Sequence, residues 1–476
     1  MKSKNTVSAL AENLFLLKKI LNLLYRIKPE SKYCPNFFFR QSSCIIRPSS
    51  LPKKTNHKKE CIKIMSRRVV ITGIGAVTPL GNTVTETWTN LISLKSGVGR
   101  ITLFDPSQHE VQIAAEIKNF DPHTRLPGVL AKKPERVHRV TQFAIAAALE
   151  AFGQSGLTIN EENEDRVAVF IGSGGGGLTD MTDATRTNIA SGPNRVSAAM
   201  SYKIMSNASA GAVSKILGAK GASISVSSAC ATGSDAIGLA MQQIAWNEYD
   251  VVVAGGTEAV IDINTIAAFG NLTALTKSYN NCPESASRPF DVNRSGFVFG
   301  EGAAIVVLEA EEHALSRGAE ILGCIAGYGA TDDAFHETKP DGLGSKRAMR
   351  KALVSADLKP EDIGAFLLHG TSTSDNDHYE ALAVQDVFGD QAKIAPAAAI
   401  KSQLGHMIGA AGSIAPIIAT MMFRKHIIPA TLNLTRTDED CHLNLYSEVR
   451  QFDSQVVACN ALGFGGHNSI LIISAN

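Results

Sequence analysis

The chain has 476 residues, of which 44% are hydrophobic and 19% are charged, with 40 glycines. This is ordinary globular composition with the lean towards glycine and alanine that close-packed α/β proteins show. The net charge of +1 hides a split: residues 1–64 hold 14 Lys and Arg against 3 Asp and Glu, which leaves 32 against 42 for the rest. The acidic body has no basic stripe with interleaved aromatics, which argues against nucleic acid as a partner.

Residues 1–64 form a basic leader that differs from the body. Its apolar stretch Leu10–Ile27 is interrupted by two lysines and an arginine, so no run of about 20 apolar residues is present to span a membrane. The composition is typical of an organellar transit peptide, which predicts a mitochondrial or plastid location. The alternative is translation from Met65, where MSRRVVITGIG leads into a first strand, and then a cytoplasmic location is expected.

Strand and helix signals alternate through the body and predict an α/β fold with buried sheets. The predicted strands are Val69–Ile74, Val167–Gly172, Ser223–Ser227, Asp250–Gly255, Ala303–Leu308, Ile321–Ala326, Ala365–Leu368, Val456–Cys459 and Ile470–Ile473. Helical stretches include Thr141–Phe152, Ala231–Trp246 and Ser345–Ala356. The glycine run Gly172–Gly177 lacks the GK[ST] ending of a phosphate-binding loop, so we interpret it as a turn or a subunit contact.

Cys230 stands at the junction between a predicted strand and a predicted helix. The unpaired N–H groups and positive dipole end of the helix favour the thiolate there, and its small neighbours would let a carbonyl group approach. Taken alone, the residue is better interpreted as a buried structural cysteine. The 8 cysteines show no CxxC or other metal-ligand spacing, which favours a reducing compartment and argues against a zinc site or a disulfide framework.

Two further stretches place histidines in turns next to predicted elements. LLHGTSTSDND puts His369 just after an apolar strand, and IKSQLGHMIGAAG puts Lys401 and His406 in a turn that leads to a helix. A lone histidine is more often a core or surface residue than a catalyst, but two such histidines together with Cys230 favour nucleophilic catalysis. A fourth stretch, NALGFGGHNS, is a glycine turn whose amides could face an oxyanion.

These motifs carry a family resemblance. SSACATG, HGTST, KSQLGHMIGAAG and GFGGHN, in that order and spacing, resemble the condensing enzymes, most closely the β-ketoacyl-acyl-carrier-protein synthase II family. The likeness runs from Met65 to Asn476 and includes ITGIGAVTPLG, SRPFDVNRSGFVFGEGA and DDAFHETKPDG. It implies a thiolase-like layered αβαβα fold of two similar halves, residues 65–322 and 323–476, usually in a homodimer.

The resemblance also implies an activity, the decarboxylative condensation of acyl-ACP with malonyl-ACP (ACP, acyl carrier protein) for fatty acid elongation. Cys230 would take the acyl chain as a thioester, and His369 and His406 would form the decarboxylation pair. Lys401 would tune the site electrostatically. No cofactor or metal is expected, because the phosphopantetheine arrives on the carrier protein.

Other matching positions extend the expected site. The backbone N–H groups of Cys230 and Phe464 would form an oxyanion hole, with Phe464 also the gating aromatic. Thr371 and Thr373 would hydrogen-bond the phosphopantetheine arm. The basic stretch AKKPERVHR, with Lys133 and Arg136, lies where the family often places carrier-docking charges, although a solvated helix start is the alternative interpretation.

Three positions depart from the family pattern: Ala415 replaces a usual Glu, Ser295 a usual Asp and Ala461 a usual Ser. The first change removes an expected partner of Lys401, a role that Asp377 and Glu380 could fill. Two alternatives stay open, a specialised polyketide ketosynthase and a non-catalytic partner subunit of the chain-length-factor type, which typically lacks the nucleophile. A thiolase would need a second cysteine in a C-terminal glycine turn, and Cys459 lies near such a turn but before it.

Overall fold

The computed structural model describes residues 67–476, so the predicted leader and the alternative start at Met65 lie outside the described residues. Eleven strands of this part, numbered here in chain order, form one sheet. They are β1 Val69–Val77, β2 Val167–Gly172, β3 Ser223–Ile224, β4 Val251–Glu258, β5 Gly302–Ala310, β6 Gly323–Asp332, β7 Ala365–Leu367, β8 Pro396–Ala398, β9 Asn444–Leu445, β10 Val456–Gly463 and β11 His467–Ser474. Two-residue strands also pair Gly99–Arg100 with Ile113–Ala114 and Ile427–Ile428 with Arg450–Gln451.

The longer helices of the described residues are likewise numbered in chain order. They are α1 Val84–Ile92, α2 Arg139–Ser155, α3 Leu178–Ser191, α4 Ala208–Leu217, α5 Thr232–Ala245, α6 Ile263–Asn271, α7 Gly344–Ala356, α8 Ser374–Phe388 and α9 Ala411–Lys425. Shorter helices are Pro122–Arg125, Gly128–Lys132, Met200–Lys203, Glu311–Ser316, Gln391–Ile394 and Lys401–Leu404.

The sheet consists of the same five-stranded pattern used twice. The strand order is β3-β2-β4-β5-β1 in the first half and β8-β7-β10-β11-β6 in the second, with β9 added at the edge. In each half the first three strands are parallel and the last two pairings are antiparallel. The halves join where β1 pairs antiparallel with β6. This is the two-half arrangement that the resemblance implies.

Alternate residues of the strands face different helices, which produces the five layers. In β2, Ala168 and Phe170 face a core shared with α5 and α9, whereas Val169 and Ile171 face a core formed with α2 and α4. In the second half, β7 packs on the same shared core and on an outer core with α7 and α8. Because the strands are covered on both faces, their sequences are continuous apolar runs. The predicted thiolase-like αβαβα layering is confirmed.

The predicted strands and helices all appear, although several strands, among them β1, β10 and β11, extend beyond their predicted bounds. Two further strands differ for identifiable reasons. The strand predicted at Ser223–Ser227 ends at Ile224, because the chain then turns close to Gly172, where a Cβ atom would lie 2.2 Å from the Val226 carbonyl oxygen. The strand predicted at Ile321–Ala326 runs to Asp332, since glycines and polar residues break its apolar signal without breaking its pairing with β11. Within residues 67–476, no helix is long and apolar enough to cross a membrane.

Candidate active site

Cys230 lies at a sharp turn between β3 and the buried helix α5. It occupies a short 3₁₀ turn, Ala229–Ala231, directly before the first residue of α5, and it is only 7% exposed. The preceding Ala229 has φ +49°, a left-handed conformation that costs energy for a residue with a Cβ atom. This strained turn places the thiol at the N-terminal end of α5, as the sequence predicts.

The second half of the fold supplies the two histidines from neighbouring turns. His369 follows β7 and comes shortly before α8, whereas His406 lies between the short helix Lys401–Leu404 and α9. Each turn contains a glycine in the left-handed region, Gly370 with φ +41° and Gly405 with φ +66°. Both histidines are 2% exposed, so neither is a surface residue.

The four predicted catalytic residues meet in one buried cluster. His406 Nε2 lies 3.0 Å from Cys230 Sγ, and the rings of His369 and His406 are 5.3 Å apart at an interplanar angle of 84°. Lys401 Nζ lies 2.5 Å from the backbone oxygen of His369 and 3.3 Å from its Nδ1. The cluster therefore combines a nucleophile, two imidazoles and a cation.

The electrostatics of the cluster keep both imidazoles neutral. Burial lowers the pKa of His369 and of His406 well below the usual value, and the Lys401 charge lowers both further. Burial also lowers the pKa of Lys401 to about 8, while the charge of Glu380 opposes this effect. At neutral pH the site thus holds one ammonium group and two neutral rings that can donate N–H hydrogen bonds.

The expected thiolate at Cys230 is not the resting form. Burial raises the pKa of this thiol to about 11, although the charge of Lys401 and the backbone N–H groups of Phe464 and Cys230 act in the opposite direction. The prediction was wrong because it weighed the helix dipole and omitted the loss of water around a fully buried sulfur. The structure places the amides of the expected oxyanion hole where they influence the sulfur.

The Cys230–His369–His406 cluster also has the spacing of a metal site. Potential ligand atoms of these three residues lie within 4.8 Å of one another. The Lys401 ammonium, 3.3 Å from His369 Nδ1, places a positive charge beside them. That charge disfavours a bound cation and suits a site where negative charge develops.

The acids near the histidine turn bind its backbone rather than Lys401 directly. Glu380 accepts hydrogen bonds from the N–H groups of His369 and Gly370 at 2.7 and 2.8 Å, and Asp377 accepts one from Thr371 at 2.9 Å. Lys401 takes the backbone oxygen of His369 as its partner, and Ala415 belongs to the apolar core of α9. A carbonyl group and the more distant charge of Glu380 thus replace the expected carboxylate partner.

A cavity of about 370 Å³ leads to the cluster. Its lining includes Cys230, His369, His406, Thr371, Thr373, Phe464, Phe269, Phe297, Thr338, Lys339, Asp375 and Tyr379. The hydroxyl oxygens of Thr371 and Thr373 are 2.9 Å apart, and the Phe464 ring stacks on Phe269 with centroids 6.1 Å apart. The buried Cys459 is absent from the lining and belongs to the shared core, so it does not supply the second cysteine that a thiolase needs.

The residues of the expected docking stretch divide into two groups. Lys133 and Arg136 are exposed, whereas Arg139 turns inward to Glu301 at 2.6 Å and packs over the Phe143 ring. Lys132, Lys133 and Arg136 are therefore the basic side chains of this stretch that face solvent.

The other two positions that depart from the family pattern lie outside this stretch: Ser295 hydrogen-bonds Thr276 at 2.7 Å, and Ala461 is buried.

Sequence reasoning missed Glu258, a fully buried acid at the end of β4. Its carboxylate lies inside the glycine run Gly172–Gly177, which is neither a phosphate site nor an open turn. The available signal was a charged residue directly after the apolar run VVVAGG, since Glu is almost never fully buried without partners. This carboxylate also raises the pKa of Cys230.

Comparisons with known proteins agree with the geometry. The family descriptions "Beta-ketoacyl synthase, N-terminal domain" and "Beta-ketoacyl synthase, C-terminal domain" match residues 66–314 and 322–435. The "3-oxoacyl-[acyl-carrier-protein] synthase 2" of Coxiella burnetii is 42% identical over 411 residues, which cover 86% of this chain and 98% of that relative. The protein of the same name from Staphylococcus aureus (strain COL) is 40% identical over 410 residues, with the same coverage of each chain.

Solved structures are similar over the same part of the chain. A β-ketoacyl synthase from Burkholderia phymatum STM815 has a TM-score of 0.80 at 34% identity and covers 86% of this chain and 100% of that one. A polyketide ketosynthase in complex with its acyl-carrier protein and bound to a hexaketide has a TM-score of 0.78 at 28% identity, with the same coverage.

Proposed function

We propose that this chain, which belongs to the β-ketoacyl synthase family, is a condensing enzyme of fatty acid elongation. It converts acyl-ACP and malonyl-ACP into 3-oxoacyl-ACP, CO₂ and free ACP. The observation that carries the proposal is the 3.0 Å approach of His406 Nε2 to Cys230 Sγ, with a second neutral histidine in the same buried cavity. The curated relatives at about 40% identity support the fatty acid pathway.

The first half-reaction moves the acyl chain to Cys230. The sulfur attacks the thioester carbonyl carbon and gives up its proton, for which His406 Nε2 at 3.0 Å is the adjacent acceptor. The negative oxygen of the tetrahedral intermediate lies between the amides of Cys230 and Phe464. The carrier thiolate then leaves, takes the proton back from His406 and departs as free ACP.

The second half-reaction removes CO₂ and forms the new carbon–carbon bond. The ammonium of Lys401 can only donate, so His369 Nδ1 accepts and the ring proton stays on Nε2, available for the malonyl thioester oxygen. As CO₂ leaves, its bonding electrons form an enolate, and the Nε2–H of His369 stabilises the charge on oxygen; His406 adds a second N–H donor once its ring proton lies on Nε2 after acylation. The carbanion attacks the acyl carbon, the Cys230 sulfur leaves, and a solvent proton restores the thiol.

The carrier protein is the expected partner of both half-reactions. Thr371 and Thr373 line the cavity on the way to Cys230 and present hydroxyls to the phosphopantetheine arm, so the chain needs no cofactor of its own. Exposed Lys133 and Arg136 supply local positive charge for an acidic carrier on a net acidic body. The polyketide ketosynthase of similar structure is itself in complex with an acyl-carrier protein.

A homodimer is the expected assembly, and two surfaces support it. Helix α3 has no buried residue, and its apolar side chains Leu178, Met181 and Ile189 are 43%, 43% and 83% exposed. The sheet edge β3 leaves Ile224 43% exposed. Exposed apolar helices and open sheet edges are typically covered by a partner. Light scattering of the purified protein should give twice the mass of the chain.

A polyketide synthase is the second candidate, favoured by the similar structure with a bound hexaketide. One experiment separates the two. Acyl-ACP and malonyl-ACP are incubated with the protein, and all proteins are weighed by intact mass spectrometry. We expect an acylated enzyme and then an ACP product with a single new 3-oxo group and one CO₂ released. Repeated extension without reduction would identify a polyketide synthase, and no acylation would support the non-catalytic subunit.

A further inference from the structure

The glycine loop Gly172–Gly177 closes around a carboxylate of the chain itself. Glu258, with no exposed surface, accepts hydrogen bonds from the N–H groups of Gly174 at 2.9 Å and Gly175 at 3.2 Å. The Ser173 hydroxyl donates to the same carboxylate at 3.0 Å. The amides that could bind a phosphate in such a loop are therefore occupied by an internal anion.

The same carboxylate reaches the turn that carries His406. Glu258 Oε2 accepts a hydrogen bond from the N–H group of Gly409 at 3.1 Å, three residues after that histidine. Ile408, between them, has φ +37°, which is strained for a β-branched residue. A fixed hydrogen bond on the next residue helps to hold this conformation.

The Gly409 turn also lies directly against the helix that begins after Cys230. A Cβ atom on Gly233 would lie 2.8 Å from the Gly409 carbonyl oxygen, and one on Gly256 would lie 2.0 Å from it. These close approaches leave the turn little space to move. A displacement of Gly409 would therefore alter the 3.0 Å distance between His406 Nε2 and Cys230 Sγ.

We propose that Glu258 is a positioning residue for the condensation centre: its buried carboxylate clamps the glycine loop to the His406 turn and so sets the distance between His406 and Cys230. The inference rests on the proposed function. Burial raises the pKa of Glu258, and the hydrogen bonds from Gly409, Ser173 and the glycine loop oppose that rise. Within residues 67–476 both carboxyl oxygens of Glu258 face N–H or O–H donors, an arrangement that fits the acceptor-only, ionised form.

The charge of Glu258 can be tested through the pKa of Cys230, which a simple loss of packing around Glu258 would not change. Among the groups that face Cys230, Lys401 lowers the pKa of the thiol and Glu258 raises it, while His369 and His406 are neutral. Glu258→Gln keeps the size of the side chain and removes the charge. The apparent pKa of Cys230 should then fall, and alkylation by iodoacetamide near pH 8 should become faster by roughly three- to tenfold.

The same variant should lose condensation activity. One of its oxygens becomes an NH₂ group that faces N–H donors, so the His406 turn shifts, and kcat should fall by about 100-fold while KM for malonyl-ACP changes little. Glu258→Asp is the matched variant, because it keeps the charge and shortens the side chain. It should lower kcat and leave the pH midpoint of alkylation in place.

Three outcomes would overturn the proposal. The first is a folded Glu258→Gln protein with a lower melting temperature but unchanged kcat and unchanged alkylation midpoint. The second outcome applies if Glu258→Gln does not fold: a Glu258→Asp protein with normal kcat would then contradict the proposal. The third is an equal effect of Ser173→Ala on the alkylation midpoint, since that variant keeps the charge. Alkylation of Cys230 needs no carrier protein. If the protein fails to condense acyl-ACP with malonyl-ACP, the proposed function is refuted, but the alkylation midpoints of the variants still test the role of Glu258.

Discussion

The two halves of the fold use the same connection for different chemistry. In the first half, the turn between β3 and α5 carries Cys230, and in the second half the equivalent turn between β8 and α9 carries Lys401 and His406. The second turn is longer and includes the short helix Lys401–Leu404. Two copies of one strand-to-helix junction therefore meet at the centre of the molecule, one with the nucleophile and the other with the groups that handle negative charge.

The two halves contribute different groups to the two half-reactions. The first half supplies the sulfur that holds the acyl chain, and the second half supplies both the proton acceptor for acylation, His406, and the N–H donors for decarboxylation. The pKa of Cys230 is raised and the pKa values of His369 and His406 are lowered, all mainly by burial, so the thiol and both imidazoles are uncharged at rest. Variants in each half should separate the two reactions.

The largest effect is expected from Cys230→Ala. Loss of the nucleophile should abolish enzyme acylation and reduce condensation by at least about 10⁴-fold. Release of CO₂ from malonyl-ACP should persist, because both histidines remain. Intact mass and CO₂ release measure the two outcomes, and Cys459→Ala, at a buried cysteine outside the cavity, is the matched control. If Cys230→Ala still gains an acyl group, the first half does not hold the nucleophile.

His369→Ala should show the opposite pattern. The Cys230–His406 pair remains intact, so acylation should proceed, while loss of one N–H donor should reduce decarboxylation by about 100-fold to 1000-fold. His378→Ala on the neighbouring helix α8 removes a partly exposed imidazole and serves as the control. Equal loss of acylation and decarboxylation in His369→Ala would show that His369 does not act specifically in decarboxylation.

Lys401 lies in the second half of the fold, and its charge affects Cys230 in the first half. Its charge lowers the pKa of Cys230, so Lys401→Met should raise that pKa above about 11 and slow thiol alkylation at pH 8 by about tenfold. In the wild type, the charge is present below about pH 8 and is lost as the pH rises through that value. An alkaline decline of kcat near pH 8 should therefore be seen in the wild type and should be absent in Lys401→Met.

The matched control for this charge is Lys425→Met, at an exposed lysine in the last turn of α9. It should leave both the alkylation rate and the pH profile unchanged. A wild-type alkaline decline that survives in Lys401→Met would mean that another group titrates there, and the proposed electrostatic link between the halves would be wrong.

The sequence predicted the fold and that Cys230, His369, Lys401 and His406 lie together, but it did not predict their protonation or the hydrogen bonds that hold their turns. Apolar runs locate the strands because both faces of the sheet are covered, and the motifs around Cys230, His369 and His406 identify the turns. The protonation of Cys230 could not be predicted, because it depends on how completely distant segments exclude water. The role of Glu258 was hidden for the same reason: its partners Gly174 and Gly409 are far from it in the chain.

The smallest effect is expected at the surface of the first half, where Arg136 would meet the carrier protein before either half-reaction. Arg136→Glu reverses an exposed charge and should raise KM for acyl-ACP and for malonyl-ACP by about threefold, mostly through slower association at low salt. Acylation by a small acyl thioester without a carrier should be unchanged. Lys393→Glu makes the same change in net charge at an exposed lysine outside the cavity lining. If both variants raise KM equally, overall charge and not a docking site governs carrier binding, and if Arg136→Glu also slows the small thioester, its effect lies within the catalytic site.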